Sequence, residues 1–187
     1  RRNGARSDPG QPLLEGPVGN ARRPLPGRGH GDRSVPGRGR DIHALTLSTR
    51  EVGPVVSSPA AELNAVVSPD GRWLAYDSNE SGQFEIYVRP YPATAGERQW
   101  QVSAGGGRQP LWARKGGELY YRDFAGAVMS CPIGKGPAFA PGPLARLVQG
   151  AEYSGGGSTG SGTTYDVAPD GRFLMIRRQA LGDGTTS

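Results

Sequence analysis

One nine-residue pattern occurs three times in register, and any fold for this chain must accommodate all three copies. Ser68-Pro69-Asp70-Gly71-Arg72-Trp73-Leu74-Ala75-Tyr76 is the fullest. Ala168-Pro169-Asp170-Gly171-Arg172-Phe173-Leu174-Met175-Ile176 keeps the turn and the apolar run, and Ala113-Arg114-Lys115-Gly116-Gly117-Glu118-Leu119-Tyr120-Tyr121 keeps the Gly and the pattern behind it. Gly71 and Gly116 lie 45 residues apart, Gly116 and Gly171 lie 55 apart. Asp-Gly between apolar runs is a hairpin signal, because Gly supplies a positive φ without steric cost.

The segments between these turns read as strands. Asp41–Leu47 gives a short apolar run that closes a unit begun upstream. Asn64–Val67, Trp73–Ser78, Phe84–Arg89 and Arg98–Val102 then make four strands, the last two by strict alternation. Asn79–Gly82 turns the second into the third. The order recurs in Gln109–Ala113, Glu118–Arg122, Ala127–Cys131 and Ala145–Val148, with Gly105-Gly106-Gly107 as the connection. Thr164–Ala168 and Arg172–Arg178 begin a third unit. A period of roughly 40 to 50 residues built only of strands is that of β-propeller blades, and 31 Gly and 17 Pro among 187 residues suit many short strands joined by turns. The expected fold is all-β, a partial β-propeller of two to three four-stranded antiparallel blades. The expected organisation is a disordered Arg/Gly/Pro-rich tail over 1–40, the end of a preceding blade and a linker over 41–62, blades over 63–104 and 105–150, a Gly/Ser loop over 151–163, and an incomplete blade with a C-terminal tail over 164–187.

The net charge of +5 invites a nucleic-acid reading until it is divided along the chain. Residues 1–40 hold nine Arg against Asp8, Glu15 and Asp32, whereas 41–187 hold 13 bases against 14 acids. The basic excess belongs to the tail, and no basic face is expected on the folded part. That tail has too little apolar surface to offset ordering. An RNA-binding arm would need stacking partners, yet no Phe, Tyr or Trp precedes Trp73; a frame-shifted reading of GC-rich DNA is the other alternative. Cys131 is the sole cysteine, which excludes an internal disulfide and leaves the redox compartment open. No apolar run approaches the 18 or so residues of a membrane span, and the chain starts at Arg1, as a piece of a longer polypeptide would.

Several patterns imitate catalytic or binding motifs. Gly156-Gly157-Ser158-Thr159-Gly160 matches G-x-S-x-G, but His30 and His43 both precede Ser158, and no flanking strand and helix are expected. Gly155, Gly157 and Gly160 satisfy G-x-G-x-x-G without the helix that would hold a pyrophosphate. Asp77–Gly82 begins like a Ca²⁺ loop, but Val88 stands where the bidentate Glu belongs. Asn79-Glu80-Ser81 is formally a glycosylation sequon. The aromatics Trp73, Tyr76, Phe84, Tyr87, Trp112, Tyr120, Tyr121 and Phe173 recur at equivalent strand positions, as packing between blades requires. Cys131 reads as a small buried hydrophobe and His43 as structural. No catalytic residue, cofactor-binding residue, cofactor or metal ligand is assigned.

Ser68–Tyr76, Ser78–Gly82 and Glu85–Tyr91 together resemble the WD40-like, PD40-type repeats of TolB-like propellers. Trp100–Ser103, Gly105–Gly107, Gln109–Trp112, Glu118–Arg122 and Tyr165–Gly171 with Phe173–Met175 further resemble the last blades of bacterial serine/threonine protein kinases that carry a C-terminal propeller. The resemblance covers residues 41–178. It implies a non-catalytic sensory or interaction module, outside the cytoplasmic membrane or in the periplasm, binding a protein, peptide or small ligand and packing on neighbouring blades of its parent chain. None of the kinase catalytic signatures is in the sequence, so no catalytic residue carries over. Two other parents remain open: a prolyl-oligopeptidase-like serine peptidase gated by its propeller, and a periplasmic TolB-like scaffold. Turns near Asp70-Gly71 and Asp170-Gly171 are where a ligand site around a propeller channel would fall, although their first role is structural.

Overall fold

Twelve strands and no helix make up the part of the chain that the computed structural model describes, residues 39–92, 98–150, 152–153 and 162–177. A hairpin of β1 (Ile42–Thr46) and β2 (Glu51–Val56) comes first. Blade 1 follows as β3 (Glu62–Val67), β4 (Trp73–Ser78), β5 (Glu85–Pro90) and β6 (Trp100–Gln101), and blade 2 as β7 (Arg108–Trp112), β8 (Glu118–Arg122), β9 (Val128–Pro132) and β10 (Ala145–Val148). A second hairpin, β11 (Tyr165–Val167) with β12 (Phe173–Met175), closes the described order. Within each sheet every strand pairs antiparallel with its neighbour in sequence. The fold is therefore all-β, a partial propeller with two whole blades between two hairpins.

The three copies of the sequence pattern form one turn three times. Gly71 N–H donates to the Ser68 carbonyl at 2.8 Å, Gly116 to Ala113 at 2.8 Å and Gly171 to Ala168 at 2.9 Å. The three glycines have φ of +73°, +71° and +88°, where a Cβ would be strained. Behind each turn, alternation along the strand sends side chains to opposite faces. Trp73 and Ala75 of β4 join Ile86, Val88, Trp112, Leu119, Tyr121 and Cys131 in the core between the two blades. Leu74 and Tyr76 point the other way, onto Val56 and Ile42 of the first hairpin. Tyr120 and Val128 meet Tyr165 and Val167 of the second. A strand covered on both faces reads as a continuous apolar run, and all six residues of β4 are buried.

Strand β2 lies where the sequence reading has a linker. Gly53 and Pro54 look like breakers, but Pro54 pairs with His43 on a two-stranded edge, beside the bulge between Ile42 and His43, where the missing N–H is tolerated. His43 itself is exposed, not packed as its apolar surroundings suggested. Phe84 also departs from the blade-core role: it precedes β5 and lies under the guanidinium of Arg108, 3.9 Å from ring centroid to Cζ. The fourth strand of blade 1 shortens to Trp100–Gln101, although Val102 N–H still reaches the Ile86 carbonyl at 2.8 Å. Residues 1–38, the mimic motifs around Ser158 and the tail beyond 177 lie outside the described residues.

One feature of the repeat is invisible in residue type. The first strand of each blade is bulged, between Leu63 and Val66 in β3 and between Arg108 and Leu111 in β7. Asn64 and Gln109, 45 residues apart like the turn glycines, both take a positive φ, of +51° and +57°. Each turns its amide toward residues 162–164: Asn64 Oδ1 accepts Gly162 N–H at 2.7 Å, and Gln109 Oε1 accepts the Thr164 hydroxyl at 2.9 Å.

Candidate functional site

At the turn end of the blades, the Pro69-Asp70-Gly71 turn is locked by its own side chains. Ser68 Oγ donates to Asp70 Oδ1 at 2.6 Å and accepts Trp73 N–H at 3.0 Å, and Arg72 Nε bonds Asp70 Oδ2 at 2.7 Å. The Ser68 hydroxyl and then Arg72 hold the Asp70 carboxyl down at about 2. Asp170 and Arg172 repeat the ion pair at 2.7 Å. A nucleophilic triad would need Ser68 to bond a histidine, but this hydroxyl donates directly to the Asp70 carboxylate, and His43 is exposed on β1, in the hairpin that packs on the Leu74–Tyr76 face of blade 1. The pair is a turn lock.

That lock forms one lip of a cleft of about 280 Å³ between the blades. The other lip is the Lys115-Gly116-Gly117 turn of blade 2 and residues 133–135. Trp73 and Trp112 line it, their bodies buried in the inter-blade core and Trp112 Nε1 tied to the Val66 carbonyl at 3.2 Å. Lys115 and Lys135 are exposed on its rim. Among the described residues Asp70 is the sole carboxylate lining the cleft, and Arg72 is already paired with it. A second depression of about 340 Å³ shares Pro69 and Trp112 and reaches the exposed Arg114–Asp166 ion pair, 2.7 Å long.

The opposite end is polar but closed. Glu85 is buried; its carboxylate accepts Gly106 N–H at 2.8 Å and Gln83 Nε2–H at 2.6 Å, and it receives the Ser103 hydroxyl, whose oxygen takes Ile86 N–H at 2.7 Å. This ties the Gly105–Gly107 connection to blade 1. Asp77 points inward to Asn64 and Arg108, so the segment that begins like a Ca²⁺ loop is a plain turn in which Gly82 N–H meets the Asn79 carbonyl at 3.0 Å. Among the described residues no group of three or more His, Cys, Asp or Glu could hold a metal ion. Arg122, fully buried, bonds the Tyr153 carbonyl at 3.5 Å and lies 5.8 Å from the Tyr165 ring; burial pulls its pKa down. Cys131 is buried in the inter-blade core, and burial pushes its thiol up.

Among solved structures, the chain is similar to a putative TolB from Agrobacterium tumefaciens, at a TM-score of 0.46 and 18% identity over 74% of this chain and 50% of that one. It is also similar to TolB from Acinetobacter baumannii, at a TM-score of 0.41 and 12% identity over 79% of this chain and 45% of that one. The chain spans about half the length of these structures. No protein-family model matches it, and no curated protein does.

The turn at Asp70-Gly71, which the sequence marked as a place for a ligand site, thus lines the cleft. Lys135 and Ile133 of the same cleft carried no sequence signal for a site; they follow the end of β9 at Pro132, where Ile133 N–H bonds the Gly117 carbonyl of the blade 2 turn at 2.9 Å. Asp170-Gly171 does not line it.

Proposed function

We propose that this chain is a non-catalytic binding module of propeller type, and that the cleft between its two blades receives an acidic peptide segment bearing an aromatic side chain. The observation that carries this is the pairing of Trp73 and Trp112 with two rim lysines, Lys115 and Lys135, around a single carboxylate that is already paired. The margins of the two indoles that reach the cleft offer apolar, edge-on contact to a flat side chain. Cations at the rim attract carboxylates on either side of it without a buried-charge penalty. The volume, near the lower limit of small-ligand sites, suits one side chain and not a large cofactor.

The direct test is titration of the protein with an acetylated Glu-Phe-Glu peptide, followed by tryptophan emission. Lys115→Glu with Lys135→Glu is expected to weaken binding about tenfold or more at low salt, and the effect shrinks as salt screens it. Equal binding by the doubly substituted protein, or by a Gln-Phe-Gln peptide, would count against the reading.

The finer role draws on the blade-end residues Trp100–Ser103, Gln109–Trp112 and Tyr165–Gly171. They support a sensory propeller that reports ligand binding to a serine/threonine kinase domain elsewhere in its polypeptide. Sequencing the gene outward in both directions tests this: an upstream kinase domain supports it, and a downstream domain with Ser, Asp and His in order makes the propeller a peptidase gate instead.

A further inference from the structure

The charges around the cleft do not cancel. Asp70 and Arg72, on the blade 1 lip, neutralise each other through their ion pair of 2.7 Å. Lys115 and Lys135 line the blade 2 lip, and among the described residues neither makes an ion pair or a hydrogen bond. Two positive charges therefore stand on one side of the cleft. The bond from Ile133 N–H to the Gly117 carbonyl, 2.9 Å long, holds their two segments side by side, and each lysine lies two residues from it. Flexible four-carbon stems let both ammonium groups converge on one ligand group.

The main chain of the same lip is bare. A Cβ at Gly116, Gly117 or Gly136 would find nothing within 4 Å. Positive φ of +71° and +78° accounts for glycine at the first two. At Gly136, whose carbonyl accepts Arg72 Nη1–H at 3.4 Å, neither φ nor a neighbour requires it. Open backbone of this kind lets a ligand approach closely. Between the lips, Pro69 and the margins of Trp73 and Trp112 are apolar.

We propose that the cleft recognises an aryl phosphate, the side chain of a phosphorylated tyrosine in a partner protein, with its ring on the apolar margins and its phosphate between Lys115 and Lys135. The inference rests on the acidic-peptide reading and deepens it: the negative charge moves from residues flanking the aromatic onto the aromatic itself. An aryl phosphate carries about −1.5 to −2 near pH 7 and offers three acceptor oxygens. That charge matches the two uncompensated ammonium groups, whose donors form the strong, charge-assisted class of hydrogen bond. A pair of glutamates reaches the same total only by spreading it over two side chains, each of which must be ordered separately.

The test is calorimetric titration of the full chain at low salt with acetylated, amidated Gly-Tyr-Gly in phosphorylated, sulfated and unmodified forms, beside the Glu-Phe-Glu peptide. The phosphorylated form is expected to bind about tenfold or more tighter than the unmodified one, with the singly charged sulfate between them. Lys115→Met and Lys135→Met should each weaken the phosphopeptide about threefold or more, and together should erase its advantage. Both side chains are exposed, so thermal unfolding midpoints should match the native protein; were a variant to fail to fold, the three peptides on the native chain decide alone. Equal binding of the three forms overturns the inference, as does an advantage that survives the double substitution in a folded protein. Inorganic phosphate bound as tightly as the phosphopeptide also overturns it, because the ring then contributes nothing. If Glu-Phe-Glu binds and phosphorylation adds nothing, this inference fails and the acidic-peptide reading stands; if no peptide binds, both fail.

Discussion

Asp77 accepts the Nε–H of Arg108 at 3.2 Å across the joint between the blades, with 0% and 5% of the two side chains left to solvent. Asn64 Nδ2 donates to the same carboxylate oxygen at 3.2 Å. Burial pushes the Asp77 carboxyl up, and the bonds from Asn64 and Arg108 pull it back. Asp77→Ala removes the buried carboxylate that Arg108 and Asn64 bond across the joint and should destabilise by about 3–5 kcal/mol. Asp77→Leu combined with Arg108→Met should recover most of that loss, because neither charge is then buried. Urea midpoints of the three proteins decide it; a cost below about 1 kcal/mol for Asp77→Ala would show that water reaches the joint.

The Ser68–Asp70 lock makes a pH-dependent contribution. The folded Asp70 carboxyl sits at about 2 against an ordinary 3.8. Because the folded value is the lower one, the contribution is complete above about pH 4 and is lost as pH falls toward 2. Ser68→Ala removes the donor to Asp70 and the acceptor of the Trp73 N–H, and should cost about 1–3 kcal/mol at neutral pH. Thermal unfolding of both proteins at pH 6 and pH 2 should show the difference narrowing to what the Trp73 N–H contributes. A gap that is unchanged at pH 2 rules the carboxylate out.

Two glycines of the connection between the blades should respond to substitution for different reasons. A Cβ on Gly107 would lie 2.6 Å from Ser103 Oγ and 2.8 Å from Ile86 Cγ1, inside the packed core. Gly107→Ala should therefore cost about 1–3 kcal/mol through overpacking. Gly105 has φ +84° and nothing within 4 Å of a Cβ, so Gly105→Ala costs only backbone strain of about 1–2 kcal/mol. Asn, which tolerates positive φ, should recover part of the loss at 105 and none at 107. Equal responses at the two positions in denaturant melts would refute the distinction.

Strand order was legible in the sequence because Pro-Asp-Gly turns and alternating apolar residues are local signals that neighbouring residues suffice to write. Strand β2 was not, since Gly53 and Pro54 break the pattern and only pairing with β1 makes them a strand. The bulges at Asn64 and Gln109 were hidden for a related reason: a polar residue inside a strand gives no sign that its backbone has turned to positive φ. In the candidate cleft, Trp73 was legible as a recurring aromatic and Asp70 as a turn residue. Lys135 was not, being brought to the cleft by the return of β9.

The amino-acid sequence by itself determined the all-β class, the repeat and its turns, because the conformational freedom of Gly and the two-residue period of a strand act over a few neighbouring residues. Only the tertiary structure decided which faces of the strands meet, that Asp77 would find Arg108 in the next blade, and that Trp73 and Trp112 would share a cleft with two lysines. Those relations depend on how one sheet stacks upon the next, and residues 31 to 62 positions apart in the chain become neighbours only when it does.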